Sequence, residues 1–416
     1  MKRRILWSVV LVAMAIATAA GGAKLQDGDF VAICGDSITE QKLYSVYIED
    51  YLLMCQPAAA LRAMQFGWGG ETSWGFKSKM ANNCVPFKPT VVTTCYGMND
   101  GGYRPFDPNN QGKRYRASQK AIVQAFKKAG VRLIVVGSPG VVDADTFRRS
   151  PEQATMYNQT LAKLRDIARE VATEEGVVFA NVFDPMMDVM TKAKAKYGKS
   201  YHVAGTDGVH PWNNGHLVMA YAFLKALGCN GDIGTITIDL TAGKATATDG
   251  HKVLSAKGGA VEIESSRYPF CFSGDPKDPR ATRGIIEFFP FNDELNRLTL
   301  VVKGAKGDTA KVTWGKATKE FARADLEKGI NLAAAFLDNP FCEPFGKVER
   351  AVRAQQMYET PLIKDLIHRI PGYKRMVPDE ADALDRIRKG AEKRAKALFD
   401  AAAAAVEPVR HTIRVE

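Results

Sequence analysis

The segment Phe30-Val-Ala-Ile-Cys-Gly-Asp-Ser37 decides the fold of this chain. Residues 30–34 form a short apolar run, and Gly35-Asp36-Ser37 follow it as residue types that favour turns. An apolar run of this length is typical of a buried strand in a parallel sheet, and ligands gather at the carboxyl ends of such strands. We therefore expect a strand here, with Ser37 just beyond its carboxyl end.

Four more apolar runs of strand length follow along the chain, at residues 63–66, 91–96, 131–137 and 177–182. Between several of them the apolar residues recur every three or four positions, as at 115–129 and 152–175, which indicates amphipathic helices. Strands that alternate with helices predict a parallel sheet covered by helices on both faces.

A second polar motif, Asp207-Gly208-Val209-His210, supplies an acid and an imidazole three residues apart. A serine hydroxyl is a weak nucleophile until a base takes its proton, and an imidazole held in one tautomer by a carboxylate is the usual base. Ser37, His210 and Asp207 therefore suggest nucleophilic catalysis. Taken alone, Gly-Asp-Ser is also an ordinary turn, and Asp-x-x-His is also a common way to begin a helix.

Two further blocks supply candidate hydrogen-bond donors. Gly67-Trp-Gly-Gly-Glu-Thr72 and Gly97-Met-Asn-Asp100 each follow an apolar run. Ester hydrolysis passes through a tetrahedral oxyanion, and each donor aimed at it lowers the barrier by about 3 kcal/mol. Gly70 lets its N–H approach closely, Asn99 offers a neutral amide, and Ser37 offers its own N–H at a helix start. Alternatively, Gly70 and Asn99 serve only their own turns.

The four blocks together resemble the SGNH hydrolases, also called GDSL-type lipases and esterases, over about residues 28–228. The resemblance implies a three-layer αβα, flavodoxin-like fold with a five-stranded parallel sheet. It also implies a role for each matching residue: nucleophile Ser37, base His210, orienting acid Asp207, and oxyanion donors Ser37, Gly70 and Asn99. We expect no cofactor, and no catalytic metal because none of the six histidines is arranged as His-x-x-x-His.

Neighbouring polar residues compete for these roles. Asp36 adjoins the serine, but the matching pattern assigns the orienting acid to Asp207 and leaves Asp36 in the turn. His202 is a rival base without a carboxylate three residues before it, and His216, on a predicted helix at 213–227, is expected to be structural. Gln65 stands where many relatives carry asparagine, which puts the pocket shape in doubt rather than the mechanism.

The N-terminus has the features of a secretory signal. Lys2-Arg3-Arg4 precede the apolar residues 5–17, and Ala17-Thr18-Ala19 is typical of a cleavage site. The apolar run is too short for a lasting transmembrane helix. We expect a signal peptide at 1–19 and an exported, periplasmic or extracellular protein without stable membrane insertion.

The rest of the 416 residues divides by pattern. We assign the hydrolase domain to 20–229. Short alternating segments separated by Gly, Asp and Lys turns predict a β-rich module at 230–330. Helical patterns at 347–370 and 379–405 predict a helical C-terminal region at 331–416.

Cysteines and charge narrow the function classes. The seven cysteines are scattered, so they form no disulfide scaffold, although Cys55 and Cys84 flank loops and remain a candidate pair. No cluster has zinc spacing. The net charge is +11, or three less without the basic signal residues. The simpler interpretation is a solvated surface; attraction to an acidic glycan is the alternative, and nucleic acid is not expected in an exported setting.

Three functions are consistent with this sequence. The first is a secreted serine esterase that removes O-acetyl groups from carbohydrate, with Trp68, Trp212 and Tyr103 as sugar-binding aromatics. The second is a lipase, lysophospholipase or thioesterase of the same fold. Residues 20–228 contain no long apolar segment of the kind that forms a lid, which argues against this function. The third is a non-catalytic glycan-binding surface protein, which is expected to lack a site residue, and none is missing.

Overall fold

The structure, a computed structural model, describes residues 24–416, so the predicted signal peptide lies outside the described residues. A five-stranded sheet with the order β2-β1-β3-β4-β5 occupies the centre of the N-terminal half. All neighbouring strands in it are parallel, which confirms the predicted sheet. Its strands are β1 (Phe30–Gly35), β2 (Arg62–Gly67), β3 (Val91–Cys95), β4 (Leu133–Gly137) and β5 (Val178–Ala180).

Helices cover both faces of this sheet. Successive strand side chains point to opposite faces, so Val31 and Ile33 of β1 join one apolar core while Ala32 and Cys34 join another. This separation makes the domain a three-layer αβα structure. Its helices are α1 (Ser37–Glu40), α2 (Tyr44–Met54), α3 (Ser73–Asn83), α4 (Lys113–Lys128), α5 (Pro151–Glu174), α6 (Phe183–Tyr197) and α7 (Asn213–Ala226).

Two further sheets follow in the C-terminal half. A four-stranded sheet, β13-β10-β6-β7, contains β6 (Asp232–Asp239), β7 (Lys244–Ala247), β10 (Arg297–Lys303) and β13 (Ile330–Asn331). A five-stranded antiparallel sheet, β12-β11-β14-β9-β8, contains β8 (His251–Lys257), β9 (Ala260–Ser265), β11 (Thr309–Trp314), β12 (Ala317–Ala322) and β14 (Val409–Val415).

The predicted helical C-terminal region, 331–416, also contains a strand, β14. It pairs with β9 and β11 in the middle of the second C-terminal sheet. Its side chains alternate strictly between buried and exposed, as expected for a strand with one face against a core. The end of the chain thus returns to complete a sheet that begins more than 150 residues earlier.

The remaining helices are α8 (Phe291–Leu295), α9 (Arg323–Lys328), α10 (Leu332–Ala335), α11 (Cys342–Pro361), α12 (Ile370–Met376) and α13 (Ala381–Ala404), with a π-helical turn at Leu362–Ile367. Within residues 24–416 no helix combines the length and the apolar character needed to cross a membrane.

Helix α11 closes the exposed edge of the parallel sheet. Strand β2 lies at that edge, where backbone groups lack a neighbouring strand. The Gln65 N–H donates to Glu359 Oε2 at 2.9 Å, and Gln355 Nε2 donates to the Ala63 carbonyl at 3.3 Å. The C-terminal region is therefore built onto the hydrolase domain, close to the loop that follows β2.

Candidate active site

Ser37 lies where β1 turns into α1, as predicted. Asp36 caps this short helix, since its Oδ1 accepts the Ile38 N–H at 2.9 Å. Gly35 makes the turn tight: a Cβ there would lie 2.0 Å from Thr39 Oγ1 and 3.0 Å from the Cys95 carbonyl oxygen. Only glycine fits between β3 and α1 at this point, which places the serine at the carboxyl edge of the sheet.

The loop before α7 brings the predicted base and acid to the serine. Ser37 Oγ lies 2.8 Å from His210 Nε2, and His210 Nδ1 lies 2.6 Å from Asp207 Oδ2. Asp207 Oδ1 accepts the backbone N–H groups of Val209 and His210, both at 2.9 Å. The two backbone bonds hold the carboxylate, and the carboxylate orients the imidazole toward the hydroxyl.

The two acids near the serine differ in their electrostatics. Partial burial raises the pKa of Asp207, but the hydrogen bonds from the backbone and imidazole of His210 and from Val209 outweigh it, so the net pKa is below its usual value. Burial raises the pKa of Asp36 to about 7, with the Asp100 charge adding to it against the Ile38 N–H. Asp207 is therefore ionised at neutral pH, whereas Asp36 holds a proton more readily than an exposed aspartate does.

The loop after β2 carries Gly70 with a φ of +72°, a conformation that favours glycine, and a Cβ there would meet open space. The loop is tied to the serine turn because the Trp68 N–H donates to the Gly35 carbonyl at 3.1 Å. It is tied to the loop after β3 because Asn99 Nδ2 donates to the Glu71 carbonyl at 3.0 Å. That bond uses one of the two amide N–H groups of Asn99 and leaves the other for a ligand.

Trp68 contacts cations of the protein itself. Lys79 Nζ lies 3.9 Å and Lys364 Nζ 5.1 Å from the centre of its rings, and the His368 ring meets it edge-on at 4.9 Å. Lys364 also donates to Glu40 Oε1 of α1 at 2.6 Å. These contacts anchor the loop that carries Gly70, and the predicted role of Trp68 in substrate binding stays a prediction.

The C-terminal residues Lys364 and His368 were not predicted at this site. They lie about 300 positions from Trp68 in the chain, and no local motif links such distant residues. Their placement follows from the packing of α11 and the π-helical turn on the edge of the parallel sheet.

The two other predicted aromatic residues occupy different surroundings. Tyr103 stacks on Tyr157 at 4.7 Å between ring centres, in a partly buried aromatic group. Burial raises the pKa of Tyr103, and the charges of Asp36 and Asp207 raise it further against the guanidinium of Arg148. Trp212 follows His210 by two residues and has the Arg280 guanidinium 4.8 Å from its ring centre.

The rival histidines take no part in this chain of hydrogen bonds. His216 is fully buried, and burial lowers its pKa to about 3, so the ring is neutral. Its Nδ1 accepts the Tyr44 N–H at 3.2 Å, and its Nε2 lies 3.1 Å from Gln41 Oε1. His202 packs edge-on against Trp212 at 6.0 Å.

The seven cysteines are free, which settles the Cys55–Cys84 pairing against a disulfide in this structure. Cys84 instead lies 3.9 Å from Cys34, sulfur to sulfur, in the buried core beneath the site. Within residues 24–416 no group of three or more His, Cys, Asp or Glu side chains is arranged to hold a metal ion.

Residues 33–218 match the model of the GDSL-like Lipase/Acylhydrolase family, and this part of the chain is a domain of that family. The protein is a carboxylic ester hydrolase of the GDSL type. An acetylxylan esterase from Geobacillus stearothermophilus is 24% identical over 226 residues, which cover 49% of this chain and 96% of that protein.

Two solved structures extend the comparison. A gut microbial diltiazem-metabolizing enzyme is 23% identical, with a TM-score of 0.71 over 95% of this chain and 99% of that one, so the two share their fold across the hydrolase domain and the C-terminal half. A catalytic mutant of an acetylxylan esterase from Geobacillus stearothermophilus is 22% identical over 49% of this chain and 96% of that one, with a TM-score of 0.40.

Proposed function

We propose that this protein is an exported esterase that hydrolyses O-acetyl groups on carbohydrates, with Ser37 as nucleophile, His210 as base and Asp207 as orienting acid. The observation that carries the proposal is the unbroken pair of hydrogen bonds from Ser37 Oγ through the imidazole to Asp207. Nucleophile, base and orienter lie in the order and at the distances that acyl transfer requires.

In the proposed reaction, His210 Nε2 takes the hydroxyl proton as Ser37 Oγ attacks the acetyl carbon. The oxyanion accepts hydrogen bonds from the N–H groups of Ser37 and Gly70 and from the second amide N–H of Asn99. His210 then gives its proton to the departing sugar oxygen, which leaves an acetyl-enzyme. Water, with His210 again as base, releases acetate and restores the serine.

Two observations favour an acetyl group on sugar over a long acyl chain. The similarity to the acetylxylan esterase covers nearly the whole of that enzyme. In addition, the cavity that borders Asn99 is lined mainly by polar and charged side chains, among them Thr72, Gln111 and two arginines. A long hydrocarbon chain gains little from such a lining, because apolar burial is what drives its binding.

The test is to measure acetate release from acetylated xylan, together with turnover of 4-nitrophenyl esters of two to twelve carbons. Ser37→Ala and His210→Ala should each lower kcat by at least about 10³-fold. His202→Gln is the matched control and should retain activity, because His202 lies outside the hydrogen-bonded chain. Undiminished turnover in both site variants contradicts the triad, and turnover that rises with chain length points instead to a lipase.

A further inference from the structure

A cavity of about 180 Å³ opens beside Asn99, between the loop after β3 and the start of α4. Its wall includes Trp74, Arg104, Asn110 and Arg114. We propose that this cavity, the Arg104–Arg114 pocket, binds an anionic substituent, carboxylate or sulfate, on a sugar next to the acetylated one. The placement of the sugar rests on the proposed function, since Asn99 is the donor proposed to contact the acetyl oxygen.

The two guanidinium groups of the pocket are available to a ligand. Both arginines are exposed, and among residues 24–416 no carboxylate forms an ion pair with either. Arg116, two residues further along α4, shows the contrast because it pairs with Glu170 and with Glu174 at 2.8 Å. Carboxylates of α5 thus neutralise Arg116, whereas no carboxylate of the described residues pairs with Arg114, which lines the pocket.

Trp74 lies exposed in the wall and holds one of the two guanidinium groups. Its side chain is 43% exposed, which is unusual for tryptophan, and the Arg114 guanidinium lies 4.0 Å from its ring centre. Stacking on the indole restrains the guanidinium, so less freedom is lost when it binds an anion. An exposed indole beside a fixed cation fits a sugar that carries a negative charge.

The acidic residue of the wall, Asp100, does not cancel the arginines. Its carboxylate is partly buried and accepts hydrogen bonds from the Ser73 N–H at 3.0 and 3.1 Å and from the Ser73 hydroxyl at 2.5 Å. Those donors hold the carboxylate toward the start of α3. With two exposed arginines against this one carboxylate, the wall keeps a net positive charge and also presents the amide of Asn110.

Planar carboxylates accept two parallel hydrogen bonds from one guanidinium, whereas tetrahedral sulfate spreads its charge over three oxygens. Because the pocket is open to water, we expect the charge to tighten binding by about tenfold rather than by orders of magnitude. Added salt should reduce this preference.

The test measures binding without turnover, by calorimetry on the full-length Ser37→Ala protein. The ligands are xylotriose, xylotriose carrying a glucuronate side group, and sulfated xylotriose. We expect at least one charged ligand to bind about tenfold more tightly than xylotriose, and the tighter of the two identifies the anion. Added Arg104→Gln and Arg114→Gln substitutions should bring the ratio of dissociation constants close to one. Arg116→Gln, which removes one charge from the same helix, should keep that ratio within about twofold.

Equal affinity for charged and neutral ligands overturns the proposal that this pocket binds an anion. A preference for charged ligands that survives the substitution of both Arg104 and Arg114 overturns it as well. The result is independent of hydrolysis. If wild-type protein releases no acetate but the charge preference behaves as expected, the proposed esterase function fails and the pocket stands. If wild-type protein releases acetate but shows no preference for charged ligands, the esterase function stands and the proposed anion pocket fails.

Discussion

Replacing Asp207 by asparagine tests the orientation of the base with almost no change in shape. Asp207 Oδ1 accepts two backbone N–H groups at 2.9 Å, and Oδ2 faces His210 Nδ1 at 2.6 Å. In Asp207→Asn the amide oxygen must keep the two backbone donors, so the NH₂ group faces the imidazole. An NH₂ group cannot accept a hydrogen bond, and the ring therefore shifts its proton away from Nδ1.

The shifted proton resides on Nε2, the nitrogen that lies 2.8 Å from Ser37 Oγ. In that tautomer the imidazole presents an N–H to the hydroxyl and is unable to take its proton. Loss of the correct tautomer in a serine triad lowers kcat by about 10³- to 10⁴-fold, which corresponds to roughly 4 to 5.5 kcal/mol in the activation barrier.

The assay is hydrolysis of 4-nitrophenyl acetate at pH 7, with thermal unfolding measured beside it to show that the variant folds. Asp36→Asn is the matched control, one residue before the proposed nucleophile. Asp36 is buried with its pKa raised to about 7, and an asparagine oxygen can still accept the Ile38 N–H, so we expect a change below about threefold. Activity of Asp207→Asn within tenfold of wild type refutes the reasoning, as does an equal loss in both variants.

Three further predictions concern stability and thiols. Burial raises the pKa values of Glu49 and of its neighbour Glu359, so the folded state holds more protons than the unfolded state above pH 4.5. The free energy of unfolding should therefore fall as the pH rises from 5 to 8. Glu49→Gln should make this pH dependence flatter in urea titrations, and an unchanged slope contradicts the assignment. Gly67→Ala should lower the free energy of unfolding by at least about 2 kcal/mol, because the added Cβ would lie 2.3 Å from the Glu40 backbone nitrogen. Gly70→Ala, whose Cβ would meet open space at a φ of +72°, should lower the free energy of unfolding by only about 1 kcal/mol and should also lower kcat. Equal shifts in melting temperature for the two variants refute this prediction. Unfolding without reductant should expose seven thiols to a colorimetric reagent, and a count of five indicates a disulfide.

Much of the site could be predicted because its parts are local. The run before Ser37 encodes a buried strand, the glycine-containing turn that follows requires small residues, and Asp207 lies within one turn of His210. Parallel strands expose their carboxyl ends at one edge, so strand ends far apart in sequence meet there. The number of strands, the helices between them and the candidate site residues therefore follow from patterns that span about ten residues.

The tertiary structure alone decided how the C-terminal half joins that site. Glu359 and Gln355 form hydrogen bonds with backbone groups on the free edge of β2, and Lys364 contacts Trp68. Nothing in the local sequence links residues that lie about 300 positions apart. The alternation in β14 was present in the sequence, but its position between β9 and β11 depends on the unpaired edges of two other strands. Likewise, the positive charges of Arg104 and Arg114 lack ion-pair partners because the fold brings no carboxylate of the described residues close enough to pair with them. Local periodicity determines which elements form, whereas contacts between distant elements are selected by the packing of the whole chain.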